Sequence, residues 1–450
     1  MQIAKLSLVA AMVLGFSGSV YAADTLADAF KNGKVNGELK AWYWDKTSDG
    51  TAQHNENIFN MAVELGYITD TFYGFRLGAT FQGNATPFAE ENAKTMFIDE
   101  EYASGSVLSE AYLGYKIGKT DIKIGRQYIN TPLVSGNYAR VLKESFEGVT
   151  VVNTDLPQTT VMAGYINKFQ GRTSNISGDG AGDAPLFAKK IIFGGMGTKS
   201  YAFEDAYTLA IINKSISNLT LTAQYAVATD VASSPTSSAI VDDIDMYYTE
   251  AKYVVPMNGF KLGFDASYRG SKTGSDLDSL NYEGDMLGGR ISISELAGFG
   301  ASIAYTTVSD DDALIVGMGN GGETYTGMLI RGPFYYSCLA GMDAYKFEVT
   351  YDFSKIGVAG LKGVLQYVDA NQDAPSIKAG STAAKTHADY TGYAGGLTYA
   401  IPAIKGLTTQ LIYATAEKEA TSLTNVVTKT DTDELWFKAN GTVQNSVSIG

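Results

Sequence analysis

From residue 34 to residue 444 the chain is a succession of segments in which apolar and polar side chains alternate with a period of two. Over 219–227, Leu219, Leu221, Ala223, Tyr225 and Val227 alternate with Thr220, Thr222, Gln224 and Ala226. Over 260–269, Phe260, Leu262, Phe264, Ala266 and Tyr268 alternate with Lys261, Gly263, Asp265, Ser267 and Arg269. Over 345–353, Tyr345, Phe347, Val349, Tyr351 and Phe353 alternate with Lys346, Glu348, Thr350 and Asp352. A β-strand sends successive side chains to opposite faces. Each segment therefore reads as a strand with one apolar face and one hydroxylated, charged face.

Eighteen such strands are read at 34–45, 57–69, 73–82, 107–117, 120–128, 147–153, 158–168, 204–213, 217–229, 244–255, 260–269, 282–296, 300–309, 344–354, 359–370, 388–401, 405–417 and 432–444. Most exceed the roughly 5 or 6 residues of an ordinary globular strand and match the roughly 9 to 11 of a tilted strand crossing a bilayer. The gaps between them are sorted by length. Short ones follow the even strands: Asp70–Phe72, Gly118–Lys119, Thr154–Pro157, Lys214–Ile216, Pro256–Gly259, Ala297–Phe299, Lys355–Val358 and Pro402–Ile404. Long ones follow the odd strands, up to 169–203 and 310–343. With both termini on one side, eighteen strands need eight turns there and nine loops opposite, which is the pattern read. A soluble sandwich has no reason to sort its connections in this way, whereas a membrane barrel has short periplasmic turns and longer external loops. The expected fold is all-β, an 18-stranded antiparallel transmembrane β-barrel. Tyr115, Tyr165, Tyr268, Tyr351, Phe353, Tyr367 and Tyr413 sit toward strand ends, where an aromatic girdle would lie.

The first 22 residues read as an address. Lys5 precedes an apolar run from Leu6 to Phe16, and Val20 and Ala22 occupy the –3 and –1 positions of a secretory cleavage site. The expected organisation is a signal peptide over 1–22 and one barrel domain over 23–450. Beyond the leader no apolar run approaches the roughly 20 residues that a membrane-spanning helix needs. A barrel reached through a secretory leader belongs in the outer membrane of a Gram-negative bacterium, in contact with lipid and lipopolysaccharide.

Composition excludes other classes. The single cysteine, Cys338, rules out a disulfide framework, and it is expected to pack as a small apolar residue. His54 and His387 fall in candidate loops without metal-ligand spacing. No GxSxG-type elbow flanks a candidate serine, and GMGNGG at 317–322 lies outside any βα context. No cofactor, metal or catalytic residue is expected, and the chain does not read as an enzyme. The run Asp310, Asp311 and Asp312 reads as a solvated loop tip rather than a calcium site. A net charge of –14 argues against a nucleic-acid partner.

With the polar face as the lumen, Glu110, Lys116, Lys123, Lys261, Asp265, Arg269, Lys346, Glu348 and Asp352 project inward. Both signs appear, so the wall is mixed rather than a single-sign filter. The third long loop, Ile129 to Phe146, carries Arg140, Lys143 and Glu144 and is the candidate constriction. Arg126 shares parity with Ile122 and Ile124, so an unbroken strand aims it at lipid. A bulge at Gly125 or a place at the rim near the loop would relieve that cost, and the sequence does not choose between them; Arg126 is counted with Arg140, Lys143 and Glu144 among the candidate constriction residues. The expected function is an outer-membrane porin giving passive diffusion of small hydrophilic solutes and ions through a water-filled channel. The alternatives are a substrate-specific or gated transporter and a secreted all-β enzyme or adhesin.

Two stretches carry a resemblance. Thr120–Val151 is similar to the segment of OprD-type outer-membrane porins in which a strand ending G-R-Q leads to a Pro, an Arg-Leu pair and an F-x-G strand start. Here these are Gly125, Arg126, Gln127, Pro132, Arg140, Phe146 and Gly148, with Val141 in place of the usual Leu. Ala344–Val368 resembles the same family's Y-D-F, G-x-x-G-L hairpin, through Tyr351, Asp352, Phe353, Gly357, Gly360 and Leu361. Campylobacter-type major outer-membrane porins are a related match. The resemblance implies an 18-stranded channel for small solutes, usually trimeric or loosely associated, so a homotrimer is expected. Members often carry a basic ladder on the lumen wall, whereas the inward positions here carry both signs. Barrels of this kind usually end on an aromatic residue, whereas this chain ends SVSIG, with its last aromatic at Phe437.

Overall fold

The computed structural model describes residues 23–49, 54–174, 184–330, 337–372, 387–421 and 426–446. The leader expected over 1–22 and the last four residues lie outside the described residues. Eighteen barrel strands follow in order: β1 (Lys34–Asp49), β2 (His54–Ile68), β3 (Phe75–Ala85), β4 (Gly105–Ile117), β5 (Thr120–Gln127), β6 (Ser145–Asn153), β7 (Thr159–Gln170), β8 (Ala206–Asn213), β9 (Leu219–Ser234), β10 (Ser237–Met257), β11 (Phe260–Thr273), β12 (Asp285–Leu296), β13 (Phe299–Val308), β14 (Met342–Asp352), β15 (Leu361–Gln372), β16 (His387–Ala400), β17 (Leu407–Thr421) and β18 (Val427–Ser446). Each pairs antiparallel with its sequence neighbours. β18 returns to β1 in continuous register from Lys34↔Ser446 to Asp49↔Asp431, which closes the barrel and leaves no free edge.

Alternation decides which way each side chain points. Leu39, Leu65, Ile211, Ile291, Ile303 and Leu365 are exposed on the outer face. A belt of this kind would be costly in water but is what hydrocarbon requires. Their strand neighbours Lys40, Glu64, Arg290 and Gln366 face inward. The turn at Ala297–Gly298 shows why the periplasmic connections are short. Both residues have positive φ, +48° and +93°, the backbone that lets a two-residue hairpin follow the sheet's twist.

The observed strands run longer than the sequence suggested, chiefly at the external side. The stretch 230–243, read as a loop, is instead the upper part of a hairpin in which β9 and β10 have 16 and 21 residues. Only Pro235 and Thr236 connect them. His54 and His387 begin β2 and β16 instead of sitting in loops.

The described parts of three external connections turn back into the barrel: 128–144 after β5, 171–174 and 184–205 after β7, and 309–330 and 337–341 after β13. Within them Lys190–Gly194 pairs with Ser200–Ala202 and with Gly317–Met318. Met318 also exchanges backbone hydrogen bonds with the first of these loops, through Leu133 and Ser135. Buried apolar side chains of the loops, such as Leu133, Ile192, Leu314 and Val316, pack against inward residues of the wall. Cys338 belongs to one of these clusters and is buried. A short helix, α1 (Leu26–Lys31), precedes β1, and α2 (Glu91–Phe97) lies in the β3–β4 connection.

Candidate functional site

The loop 128–144 is held by side chains that alternation has already turned inward. Lys40 of β1 donates to Val141 O at 2.9 Å, and Lys438 of β18 donates to Ala139 O at 3.0 Å. Gln82 of β3 makes a reciprocal pair with Lys143, donating to its carbonyl at 2.9 Å and accepting from its N–H at 2.8 Å. Across the barrel, Gln224 of β9 accepts from Leu133 N at 2.9 Å, and Arg269 of β11 donates to Pro132 O at 3.2 Å. A segment bonded to opposite walls lies across the lumen.

Arg140 and Lys143 then meet carboxylates. The Arg140 guanidinium lies 4.8 Å from the ring centres of both Trp44 and Trp436, and it reaches Glu100 at 3.1 Å and Glu101 at 3.5 Å. Burial pushes the Glu101 carboxyl up to about 7, against the pull of Arg140, Arg172 and Lys438. Burial also opposes the charge on Glu100, but Arg140 and Arg172 outweigh it and hold that carboxyl below its ordinary value. Lys143 bridges Glu64 at 2.9 Å and Glu38 at 3.3 Å. Burial alone would lower its ammonium; the two carboxylates raise it above the ordinary lysine value. Lys40 completes this alternating tetrad, 3.5 Å from Glu38.

The remaining expected positions fall in four places. Glu144 is fully buried and clamps the loops. Its carboxylate accepts from Asn137 N and Asn320 N, both at 2.9 Å, and from Asn320 Nδ2 at 2.7 Å, with Arg172 at 3.3 Å. It therefore joins three loops and does not line the channel. Arg126 stays on the outer face beside Ile124, at the external rim, paired with Glu147 at 3.0 Å and stacked 4.2 Å from the Phe187 ring. Gly125 has φ +122°, yet it does not bring Arg126 inward. This corrects its place among the constriction candidates. Lys116, Lys261 and Asp352 lie at the periplasmic mouth, where Lys261 pairs with Glu295 and Asp352 caps the following turn through Ser354 N.

The others stand on the lumen wall. Glu110 accepts from Thr80 at 2.6 Å, and Lys123 lies 4.7 Å from the Tyr112 ring. Asp265 holds the Arg290 guanidinium, Arg269 lies 4.6 Å from the Tyr248 ring, Lys346 donates to Gly327 O at 2.9 Å, and Glu348 accepts from Gln366 at 2.6 Å. Sequence reasoning missed Glu38, Lys40, Glu64, Arg290, Lys438 and all three tryptophans. The signal was available, since Lys40, Trp42 and Trp44 alternate with Leu39, Ala41 and Tyr43 along β1. Among the described residues no group of side chains could hold a metal ion.

A closed barrel with an apolar outer belt, short turns on one side and charged loops folded across its lumen defines an outer-membrane porin. The family described as outer membrane porin, OprD family, matches residues 98–436. Among solved structures, Acinetobacter baumannii OccAB2 superposes with a TM-score of 0.72 at 17% identity, covering 93% of this chain and 99% of that one. Pseudomonas aeruginosa OccK8 (OprE) gives 0.70 at 16%, covering 92% and 99%. Pseudomonas aeruginosa OpdK, solved with vanillate, gives 0.70 at 13%, covering 92% and 100%. No curated protein matches by sequence. The chain belongs to the OprD family of outer-membrane porins: a non-enzymatic channel for small solutes in the outer membrane of a Gram-negative bacterium.

Proposed function

We propose that residues 23–450 form a single porin domain, after removal of the leader 1–22, and that its channel is set by the loop 128–144. Small hydrophilic solutes and ions diffuse passively through the water left beside this loop. Polar wall groups replace part of their hydration, and charges at the narrowing bias which ions pass. The observation that carries this reading is the Lys143–Glu64–Glu38–Lys40 tetrad, where a loop cation meets two wall carboxylates. Opposite charges fixed a few ångströms apart create a transverse field, which orients dipolar solutes without selecting one sign. Arg140 acts in the same constriction by holding the loop to the wall. Lys123, Asp265, Arg269, Lys346 and Glu348 form the mixed wall below.

The native assembly is proposed as a homotrimer in contact with outer-membrane lipid and lipopolysaccharide. Its lipid-facing sector β2–β5, with Met61, Val63, Leu77 and Leu113 exposed, is apolar enough to pack against a second copy. Native mass of the detergent-extracted protein tests this, and a monomeric mass refutes it.

Single-channel conductance in a planar bilayer, with reversal potential in a salt gradient, tests the channel. Steady ohmic openings are expected. Lys143→Ala leaves Glu38 and Glu64 facing the lumen beside Lys40 alone, so the reversal potential moves toward cation preference. A silent but correctly inserted barrel overturns the open-pore reading in favour of a gated transporter. An unchanged reversal potential in the variant removes Lys143 from the constriction.

A further inference from the structure

The backbone of Lys143 is fixed by groups that carry no charge. Gln82 points into the lumen by the alternation of β3. Its one amide head serves both backbone groups of Lys143, with Oε1 accepting from the N–H at 2.8 Å and Nε2 donating to the carbonyl at 2.9 Å. Gln82 Nε2 also donates to Ser109 Oγ at 2.6 Å, and Ser109 Oγ donates on to Gln170 Oε1 at 2.8 Å. Gln170, the last residue of β7, returns to the starting point, donating through Nε2 to the Lys143 carbonyl at 3.1 Å. That carbonyl therefore accepts from two amides, carried by strands on either side of β4, β5 and β6.

Ser109 reaches this circuit through an irregularity in the sheet. Thr80 pairs with Glu110 and Phe81 with Leu108, so Ser109 is the extra residue of a β-bulge in β4. A bulge re-aims a side chain that strict alternation would place elsewhere. Leu108 stays exposed on the lipid face, while Ser109 and Glu110, adjacent in sequence, both turn toward the lumen. The Ser109 carbonyl accepts from Ser145 Oγ at 2.6 Å, which ties the first residue of β6 to the same point. Gln82, Ser109, Ser145 and Gln170 are each at most 1% exposed.

The clamp at position 82 needs a carboxamide. A carboxylate could accept from the Lys143 N–H but not donate to its carbonyl, and an ammonium could donate but not accept. The Lys143 side chain does not set the loop by itself. It is 21% exposed where it meets Glu38 and Glu64, and salt in the lumen weakens such pairs. Bonds between buried neutral groups escape that screening. We propose that Gln82 and Gln170 are positioning residues for ion choice, holding the Lys143 backbone where its ammonium bridges both Glu64 and Glu38. Both glutamines are buried away from the permeation path and act through Lys143. The inference rests on the constriction reading and adds that selectivity depends on where the loop is clamped as well as on the charge it carries.

The test reads the reversal potential of the full mature barrel in a planar bilayer under a salt gradient, with heat-modifiable migration on a gel as the check of folding. A unit charge roughly 7 Å from a passing ion in water changes that ion's occupancy about threefold. Lys143→Ala should therefore raise the cation-to-anion permeability ratio about threefold. Gln82→Leu and Gln170→Leu, which displace the ammonium instead of deleting it, should each raise it about twofold. On the Lys143→Ala background the same two substitutions should add nothing to the ratio. Gln82→Asn keeps the amide but draws it back by one methylene, and gives the same reading where a leucine variant does not fold. The proposal is overturned if the folded glutamine variants keep the native ratio while Lys143→Ala changes it. It is also overturned if they change the ratio equally on the Lys143→Ala background, because they would then act by widening the pore. A native ratio in Lys143→Ala itself overturns the constriction reading and this inference with it.

Discussion

Replacing Arg140 by alanine should loosen the loop 128–144 without unfolding the barrel. The guanidinium is buried between two indole rings 4.8 Å away and pairs with Glu100 and Glu101. Removing one partner of a buried ion pair costs about 3–5 kcal/mol. The low end applies, because Arg172 remains 2.9 Å from Glu100 and keeps that carboxylate compensated. A desolvated cation over aromatic rings contributes about 1–2 kcal/mol more. The sum, about 4 kcal/mol, is weighed against what still holds the loop. For the segment around residue 140 that is the bonds from Lys40, Gln82 and Lys438 to its backbone, each worth about 1 kcal/mol, or rather more for the charged donors, while Gln224, Arg269, Glu144 and the Lys143 bridges keep the rest of the loop in place. The two sides are comparable, so the loop should alternate between docked and released states instead of leaving for good.

Two readouts follow from the same geometry. Single-channel traces of Arg140→Ala should flicker between the native conductance and a larger one. The only tryptophans of the chain, Trp42, Trp44 and Trp436, form one cluster in which Trp436 meets the other two edge to face, with ring centres 5.1 and 5.0 Å apart. Intrinsic emission therefore reports on this site alone and should shift to the red as the indoles meet water. Arg140→Lys keeps the charge but loses the planar stacking, and should fall between. Native traces and native emission from a correctly folded Arg140→Ala barrel would refute the reasoning, because the loop would then be held without its central anchor.

Glu144→Ala removes the acceptor of three hydrogen bonds from Asn137 and Asn320 and takes from Arg172 one of its two carboxylate partners, leaving it Glu100. A loss of about 3–5 kcal/mol in the loop assembly should appear as faster trypsin nicking at Lys189 and Lys190, with the barrel intact. Glu101 carries a pH dependence whose sign is fixed. Its folded carboxyl titrates near 7, above the ordinary value of 4.5, so the folded state holds the extra proton between those limits and docking weakens as pH rises through them. Tryptophan emission should therefore be bluer at pH 5.5 than at pH 8, and Glu101→Gln should flatten the profile. At Gly125, φ is +122° and an added Cβ would lie 2.3 Å from Ala111 O. Gly125→Ala should lower the unfolding free energy read from urea titration by about 1–3 kcal/mol and reduce the yield of folded barrel.

The barrel was legible because its cause is local. Lipid on one side and polar lumen on the other impose a period of two on every strand, and Leu219 to Val227 states it without help from the rest of the chain. The β9–β10 hairpin was misread for the complementary reason. Its upper part, around Ser237 and Ser238, rises above the apolar belt, so an outward side chain is wet too and the period is lost. The loops were illegible because what folds them inward is distant in sequence: Leu133 is bonded to Gln224, and Val141 to Lys40. No local pattern around Arg140 announces Trp436.

Parity also separates two charge systems that the net charge of –14 merges. Asp45 and Lys46 are adjacent in β1, yet Asp45 is bonded to Tyr43 on the outer face and Lys46 lies inside, 6.0 Å from the Trp44 ring. Seven outward aspartates, Asp45, Asp205, Asp245, Asp285, Asp343, Asp369 and Asp433, are met by phenols. Several inward carboxylates, among them Glu38, Glu64, Asp121 and Asp265, are met by cations, while Glu110 accepts from Thr80 and Glu434 from Trp436; several inward cations, among them Lys438 and Lys346, bond backbone carbonyls. A solute in the lumen therefore meets a wall close to balance, although the chain as a whole is strongly acidic. Selectivity therefore falls to the few groups at the narrowing, above all Lys143 against Glu64, because the outward aspartates lie outside the permeation path.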